Sequence, residues 1–225
     1  MMEKHRAYYE LLDKLTAGPG CPICLSVHNA MDSYLNGYLE EGVTDEQNWG
    51  ALKAAEGWCG RHAQQLGHKA DGLAVALFYG HLIEEAEAAL HDTGSKLARV
   101  RALFADSKTA PCPGCLREHE AEAGQAHLLA AAAAEPEAQA KMQPHLQLCV
   151  PHLRLCLRRA QGPGLAFLRA DQGAKLKALR AELELFVRKT GHTEARGREA
   201  LGPEADSWKR ALKRWYGLQW GDLSP

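Results

Sequence analysis

Cys21-Pro22-Ile23-Cys24-Leu25 and Cys112-Pro113-Gly114-Cys115-Leu116 follow one five-residue plan, 91 positions apart. Each is followed by a pair of a second kind, Cys59-Gly60-Arg61-His62 and Cys149-Val150-Pro151-His152, which face each other at an offset of 90. Between the half-sites lie 34 residues in the first case and 33 in the second. Beyond the cysteines, Ala70, Gly72, Ala76 and Leu77-Phe78 face Ala160, Gly162, Ala166 and Phe167-Leu168. Chance gives a lone Cys-x-x-Cys easily, but not the same four residues in the same order, spacing and flanks twice. A period of this kind reads as a duplication. Its copies span 1–95 and 96–195, a tail occupies 196–225, and the whole is expected to form one compact domain.

Each copy reads as helical. Leu25, His28, Met31, Leu35 and Tyr38 recur at three- and four-residue steps, the rhythm of one helix face. Gly42 suits a helix stop, and Thr44-Asp45-Glu46-Gln47 has the form of a capping box opening the next helix. Gly57 suits the end of that helix. A further helix is expected from Arg61, broken near Asp71-Gly72, with a longer one running to His91. In the second copy Gln161-Gly162-Pro163-Gly164 forbids a continuous helix, because proline removes a backbone donor. Leu165, Leu168, Leu176, Leu179, Leu183 and Phe186 then mark another amphipathic helix. No alternating apolar run long enough for a sheet occurs. The fold class is therefore all-α: two pseudo-symmetric helical repeats, each with a metal site of three cysteines and one histidine, and a C-terminal helix.

Thiolates with an imidazole suit a borderline-soft ion such as Zn2+, which takes four ligands in a tetrahedron. Pro22 and Pro113 help fix the Cys-x-x-Cys turn, and Cys-x-x-His on a first helical turn puts two ligands on one face. Grouped by copy, the ligands are Cys21, Cys24, Cys59 and His62 for one ion and Cys112, Cys115, Cys149 and His152 for the other. Two zinc ions are expected, with an iron–sulfur cluster as the alternative cofactor, since ligand types alone do not separate them. A thioredoxin-like redox pair needs a βαβ setting that is missing, and a covalent haem needs histidine where Leu25 and Leu116 stand. Four protein ligands leave no open position for water or substrate, which argues against a catalytic metal. His28 and His119 each follow the second cysteine of a pair by four residues. They read either as hydrogen-bonded core histidines beside the metal or as further ligands.

The chain has 225 residues, 46% hydrophobic and 24% charged, an ordinary globular balance with Ala and Leu favouring helix. Its N-terminus shows no apolar signal segment, and its longest apolar stretch, Leu128 to Ala134, is far too short to cross a bilayer. The cytoplasm is the expected location. Of seven cysteines only Cys156 falls outside the paired motifs, and it reads as a small buried hydrophobe. A net charge of −1 conceals an asymmetry: 12 basic against 20 acidic residues through Leu153, then 15 against 7 from Arg154 to Gly217. The two halves can attract each other within the fold or within a homodimer, or the basic half can meet an anionic partner.

In the tail, Gly202-Pro203-Glu204 has the form of a helix start. Trp208, Ala211, Leu212 and Trp215 make an apolar stripe, expected to dock the helix on the body. Lys209, Arg210, Lys213 and Arg214 beside it are candidate contacts to nucleic acid or to an anionic membrane surface.

With Cys21-Pro22-Ile23-Cys24, Gly57-Trp58-Cys59-Gly60-Arg61-His62 and their second-copy equivalents, the chain resembles a group of uncharacterised bacterial proteins. That group carries Cys-Pro-x-Cys followed some thirty residues later by an aromatic-Cys-x-x-His. Ala205-Asp206-Ser207-Trp208 and Arg210-Ala211 are also similar, whereas Leu148 stands where the pattern has an aromatic. The resemblance implies a metal-bearing helical fold and no particular activity. The sequence thus suggests a non-catalytic, zinc-stabilised helical protein that binds or scaffolds a protein partner. A nucleic-acid binder using the basic half and an iron–sulfur or thiol redox sensor are the alternatives. Phosphate-loop, nucleophile and acid–base motifs of an enzyme are not found.

Overall fold

The computed structural model describes residues 6–16, 20–40, 45–69, 72–91, 110–191 and 200–217. Among these residues the protein is all-α, with no strand. In chain order the helices are α1 (Arg6–Thr16), α2 (Pro22–Glu40), α3 (Glu46–Ala54), α4 (Gly60–Gly67), α5 (Gly72–His91) and α6 (Pro113–Ala132). They continue with α7 (Pro136–Met142), α8 (Val150–Arg159), α9 (Gly162–Thr190), a 3-10 turn (Pro203–Asp206) and α10 (Ser207–Tyr216). The breaks expected at Gly72 and Gly162 fall where α5 and α9 begin. Asp45 caps α3, accepting from the Asn48 N–H at 2.8 Å, and Thr44 lies outside the described residues. Gly57 adopts φ +100 just past the end of α3, and its N–H bonds back to the Leu52 carbonyl. Gly42 lies outside the described residues.

The chain divides into two compact units, and they are not 1–95 and 96–195. One comprises Met1–His28 with Ala121–Pro225; the other is Asn29–Glu120. Each therefore takes its two metal half-sites from different motif copies.

In the first unit α8, the 3-10 turn and α10 pack on the 29-residue α9, and α1 packs on α7. Gly164 permits a close approach, since a Cβ there would lie 3.1 Å from the Ala134 nitrogen. Gln172, fully buried on α9, is the polar hub. Its Oε1 accepts from the Leu148 N–H and from Arg214, and its Nε2 donates to the Leu146 carbonyl.

The tail helix docks in the opposite sense to the one its apolar stripe suggests. Ser207 and Arg214 are buried and Ala211 is half-buried, while Trp208, Leu212 and Trp215 are 44%, 42% and 57% exposed. Polar anchors decide this. Arg214 bonds Gln172, and Arg210 binds Glu182, Asp206 and the Pro203 carbonyl. Among the described residues the basic stretch forms local ion pairs, Lys175 with Asp171, Arg180 with Glu184 and Lys189 with Glu204.

In the second unit Trp58 stacks edge-on against Tyr34 and Tyr38, with ring centroids 6.0 and 5.1 Å away, and Trp49 packs on Phe78. Tyr34 and Tyr38 lie ten and fourteen residues beyond Cys24 on α2, roughly 15 and 21 Å of helix rise. Trp58 is thus anchored on the part of α2 that belongs to the second unit, and it holds its neighbour Cys59 there.

Candidate metal centres

Two clusters form, and each crosses the repeat. Cys21, Cys24, Cys149 and His152 lie together in the first unit, and Cys59, His62, Cys112 and Cys115 in the second. All eight residues expected as ligands fall in the two clusters, grouped across the repeat rather than by copy. The knuckle of one copy meets the Cys-x-x-His of the other. In each cluster the four ligand atoms lie within 4.8 Å of one another.

The local geometry of the half-sites is the same in both. Each Cys-Pro-x-Cys leads into a long helix whose first residue is its proline, Pro22 in α2 and Pro113 in α6. Cys59 and Cys149 stand at the N-caps of α4 and α8 with nearly identical backbones, φ −62 and −64 with ψ 158 in both. The histidine three residues later turns its Nδ1 back to the cysteines. In the first cluster that nitrogen is 3.4, 3.3 and 3.1 Å from the sulfurs of Cys21, Cys24 and Cys149, and Cys24 to Cys149 is 3.6 Å. In the second, His62 Nδ1 is 3.2, 3.6 and 3.6 Å from Cys59, Cys112 and Cys115, with Cys59 to Cys115 at 3.7 Å. A tetrahedron with zinc's usual bond lengths has S···S edges of about 3.8 Å and S···N edges of about 3.6 Å. The donor atoms fit such an ion.

His28 and His119 are both exposed and belong to neither cluster. Buried positions on α2 include Cys24, Val27, Met31, Leu35 and Tyr38 at three- and four-residue steps, so the inner face runs one residue ahead of His28. On α6 the equivalent inner positions carry carboxylates. Glu122 Oε1 is 3.3 Å from His152 Nε2, and Glu118 Oε2 is 3.8 Å from His62 Nε2. Glu122 thus bonds the ring nitrogen that a metal on Nδ1 leaves over, the arrangement that orients ligating histidines elsewhere, whereas Glu118 is taken up by Arg61 and leaves His62 Nε2 without a hydrogen-bond partner. The sequence signal for them was acidic residues three and seven positions after Cys115.

An arginine stands beside each cluster. Arg61 forms a two-pronged pair with buried Glu118 and lies next to Cys115, which raises its already high pKa, chiefly through the Glu118 bond. Arg214, 9% exposed, is pulled down by burial against the opposing charges of Cys21, Cys149 and Asp171. The histidines differ accordingly. Burial, with Arg61 nearby, holds His62 below its usual range, as a neutral ligand requires. His152 is pushed up to about 12: burial acts against it, but the Cys21 and Cys24 sulfurs and Glu122 prevail. Cys21 is likewise driven low, its burial outweighed by hydrogen bonds from Cys149, Cys24 and His152.

Two glycines make room for the rings and sulfurs. A Cβ on Gly114 would sit 2.8 Å from His62 Cγ, and one on Gly217 2.8 Å from Cys24 Sγ. Cys156 is fully buried outside the clusters, its thiol pushed up to about 12 by burial. Of the four tail cations, Arg210 and Arg214 are bound internally; Lys209 lies over the Trp208 ring, and Lys213 is exposed. No helix among the described residues is long and apolar enough to cross a membrane. No family model, curated protein or solved structure matches the chain.

Proposed function

We propose that each cluster holds one structural Zn2+ and that the protein is a non-catalytic, zinc-stabilised helical module that binds or scaffolds a protein partner in the cytoplasm. The carrying observation is the pair of four-donor shells, three sulfurs and one Nδ1, at tetrahedral edge lengths. Four protein donors complete the coordination of such an ion, which suits holding the fold and leaves no position for substrate. The exposed Trp208, Leu212 and Trp215 supply the kind of aromatic surface that partner proteins bury. Nucleic-acid binding by the tail has less support, because two of its four cations are engaged inside the protein. Membership of the bacterial group with paired Cys-Pro-x-Cys and aromatic-Cys-x-x-His half-sites is part of the same proposal and rests on the motifs alone.

Elemental analysis of protein purified without added metal tests the assignment. Two zinc equivalents per chain and no visible absorption are expected. A brown protein that bleaches with dithionite would replace zinc by an iron–sulfur cluster.

A further inference from the structure

The first unit contains a cavity of about 210 Å³ against its metal cluster. One wall is a single face of α10 and the residue after it: Arg210, Lys213, Arg214 and Gly217. Spacings of three, four and seven put these four on one side of a helix. The other wall includes Cys21, Gln147 and Cys149. Asp206 also lines the cavity.

The charges on these walls are unequally committed. Arg210 is committed to its neighbours: its Nε donates to Asp206 at 2.8 Å, and its Nη2 serves Glu182 and the Pro203 carbonyl. That contact also engages Asp206. Lys213 makes no ion pair among the described residues. Arg214 spends Nη2 on Gln172 at 2.5 Å, while its Nη1 is buried without a hydrogen-bond partner. A buried, unpartnered guanidinium nitrogen is costly unless something accepts from it. Lys213 and Arg214 thus contribute two positive charges and spare donors to a cavity whose carboxylate is already engaged and whose Cys21 and Cys149 sulfurs would have most of their charge offset by a bound Zn2+.

We propose that this cavity binds a small tetrahedral oxyanion, the phosphate group of inorganic phosphate or of a compact phosphomonoester, held by Lys213 and Arg214. Size limits the ligand: the volume lies below the roughly 300–1,000 Å³ of pockets for drug-sized molecules, so a whole nucleotide is too large. Arginine and lysine side by side divide the work, a planar fork with spare donors and a mobile point charge. The site stands apart from the metal assignment in its test, because the anion and the metal are counted on the same sample.

The experiment titrates the metal-replete full chain with inorganic phosphate at low ionic strength, read by 31P line broadening and by calorimetry. One saturable site is expected. Lys213→Ala should weaken it about tenfold or more, the effect of losing one charge-assisted hydrogen bond. Lys209→Ala changes a lysine that lies over Trp208 and does not line the cavity, and should leave binding unchanged. Both variants should keep the wild-type metal content. Sulfate competing with phosphate supports the proposal. Absence of saturable binding, equal weakening by the two lysine variants, or acetate binding as tightly as phosphate would each overturn it.

Discussion

The crossed grouping makes a prediction that stoichiometry alone can decide. Cys24 and Cys149 belong to one cluster, with their sulfurs 3.6 Å apart. Replacing both by serine leaves Cys21 and His152, too few donors for a tight site, while the second cluster keeps all four. One metal equivalent should remain. Cys24→Ser with Cys59→Ser removes one donor from each cluster instead, and leaves three in both. No tight equivalent should remain. Grouping by copy predicts the reverse for each pair. The stabilities should follow the same pattern. An ion present at 100 times its dissociation constant adds about 2.7 kcal/mol to the folded state, so the second double variant should lose about twice what the first does. The assay is release of tightly held metal to a chromophoric chelator after thiol modification, with thermal unfolding on the same samples. One equivalent in Cys24→Ser/Cys59→Ser and none in Cys24→Ser/Cys149→Ser would refute the crossed sites.

Three further outcomes follow from the same geometry. Glu122→Gln should weaken metal binding at the Cys21 cluster by roughly 10–100-fold, as measured by competitive metal titration, whereas Glu118→Gln, which removes no hydrogen bond to His62, should weaken the Cys59 cluster less. Gly217→Ala should cost roughly 1–3 kcal/mol in chemical denaturation, because φ +82 with ψ −165 is a glycine-only conformation, and should release metal from the first cluster while sparing the second. Glu204 is held at about 2, first by the Gly202 N–H and then by Lys189. Its folded pKa is depressed, so its stabilisation is complete above the ordinary value of 4.5 and is lost as pH falls through about 2. Melting curves should show Glu204→Gln less stable than wild type at neutral pH, the two converging near pH 2.

What the sequence disclosed was the part that local chemistry controls. The knuckle prolines, the N-cap cysteines and the helix breaks at Gly72 and Gly162 depend on a few neighbouring residues and can be read from them. The companion residues needed the true phase of the α2 and α6 inner faces, which one helical position separates from His28 and His119. The tail misled for a different reason. An apolar stripe is expected to turn inward, but Arg210 and Arg214 find Glu182, Asp206 and Gln172, and these polar contacts fix the helix with its tryptophans outward. No pattern within α10 names Gln172, 42 residues earlier, as the acceptor.

The choice of partner half-site shows why spacing was the wrong guide. Grouping by copy closes two loops of about 35 residues, whereas the crossed clusters close separations of 125 and 50. Loop-closure entropy grows only with the logarithm of length, so crossing costs about 1.4 kcal/mol more. A single buried aromatic can outweigh that. Trp58 is 6% exposed and sits edge-on to Tyr34 and Tyr38. Burying a side chain of roughly 200 Å² at about 25 cal/mol per Å² contributes about 5 kcal/mol. That burial is against two tyrosines of the second unit, the unit in which Cys59 and His62 lie with Cys112 and Cys115. The ligand spacing therefore specifies that two tetrahedral sites form, and a packing term several times larger than the entropic preference specifies which halves meet.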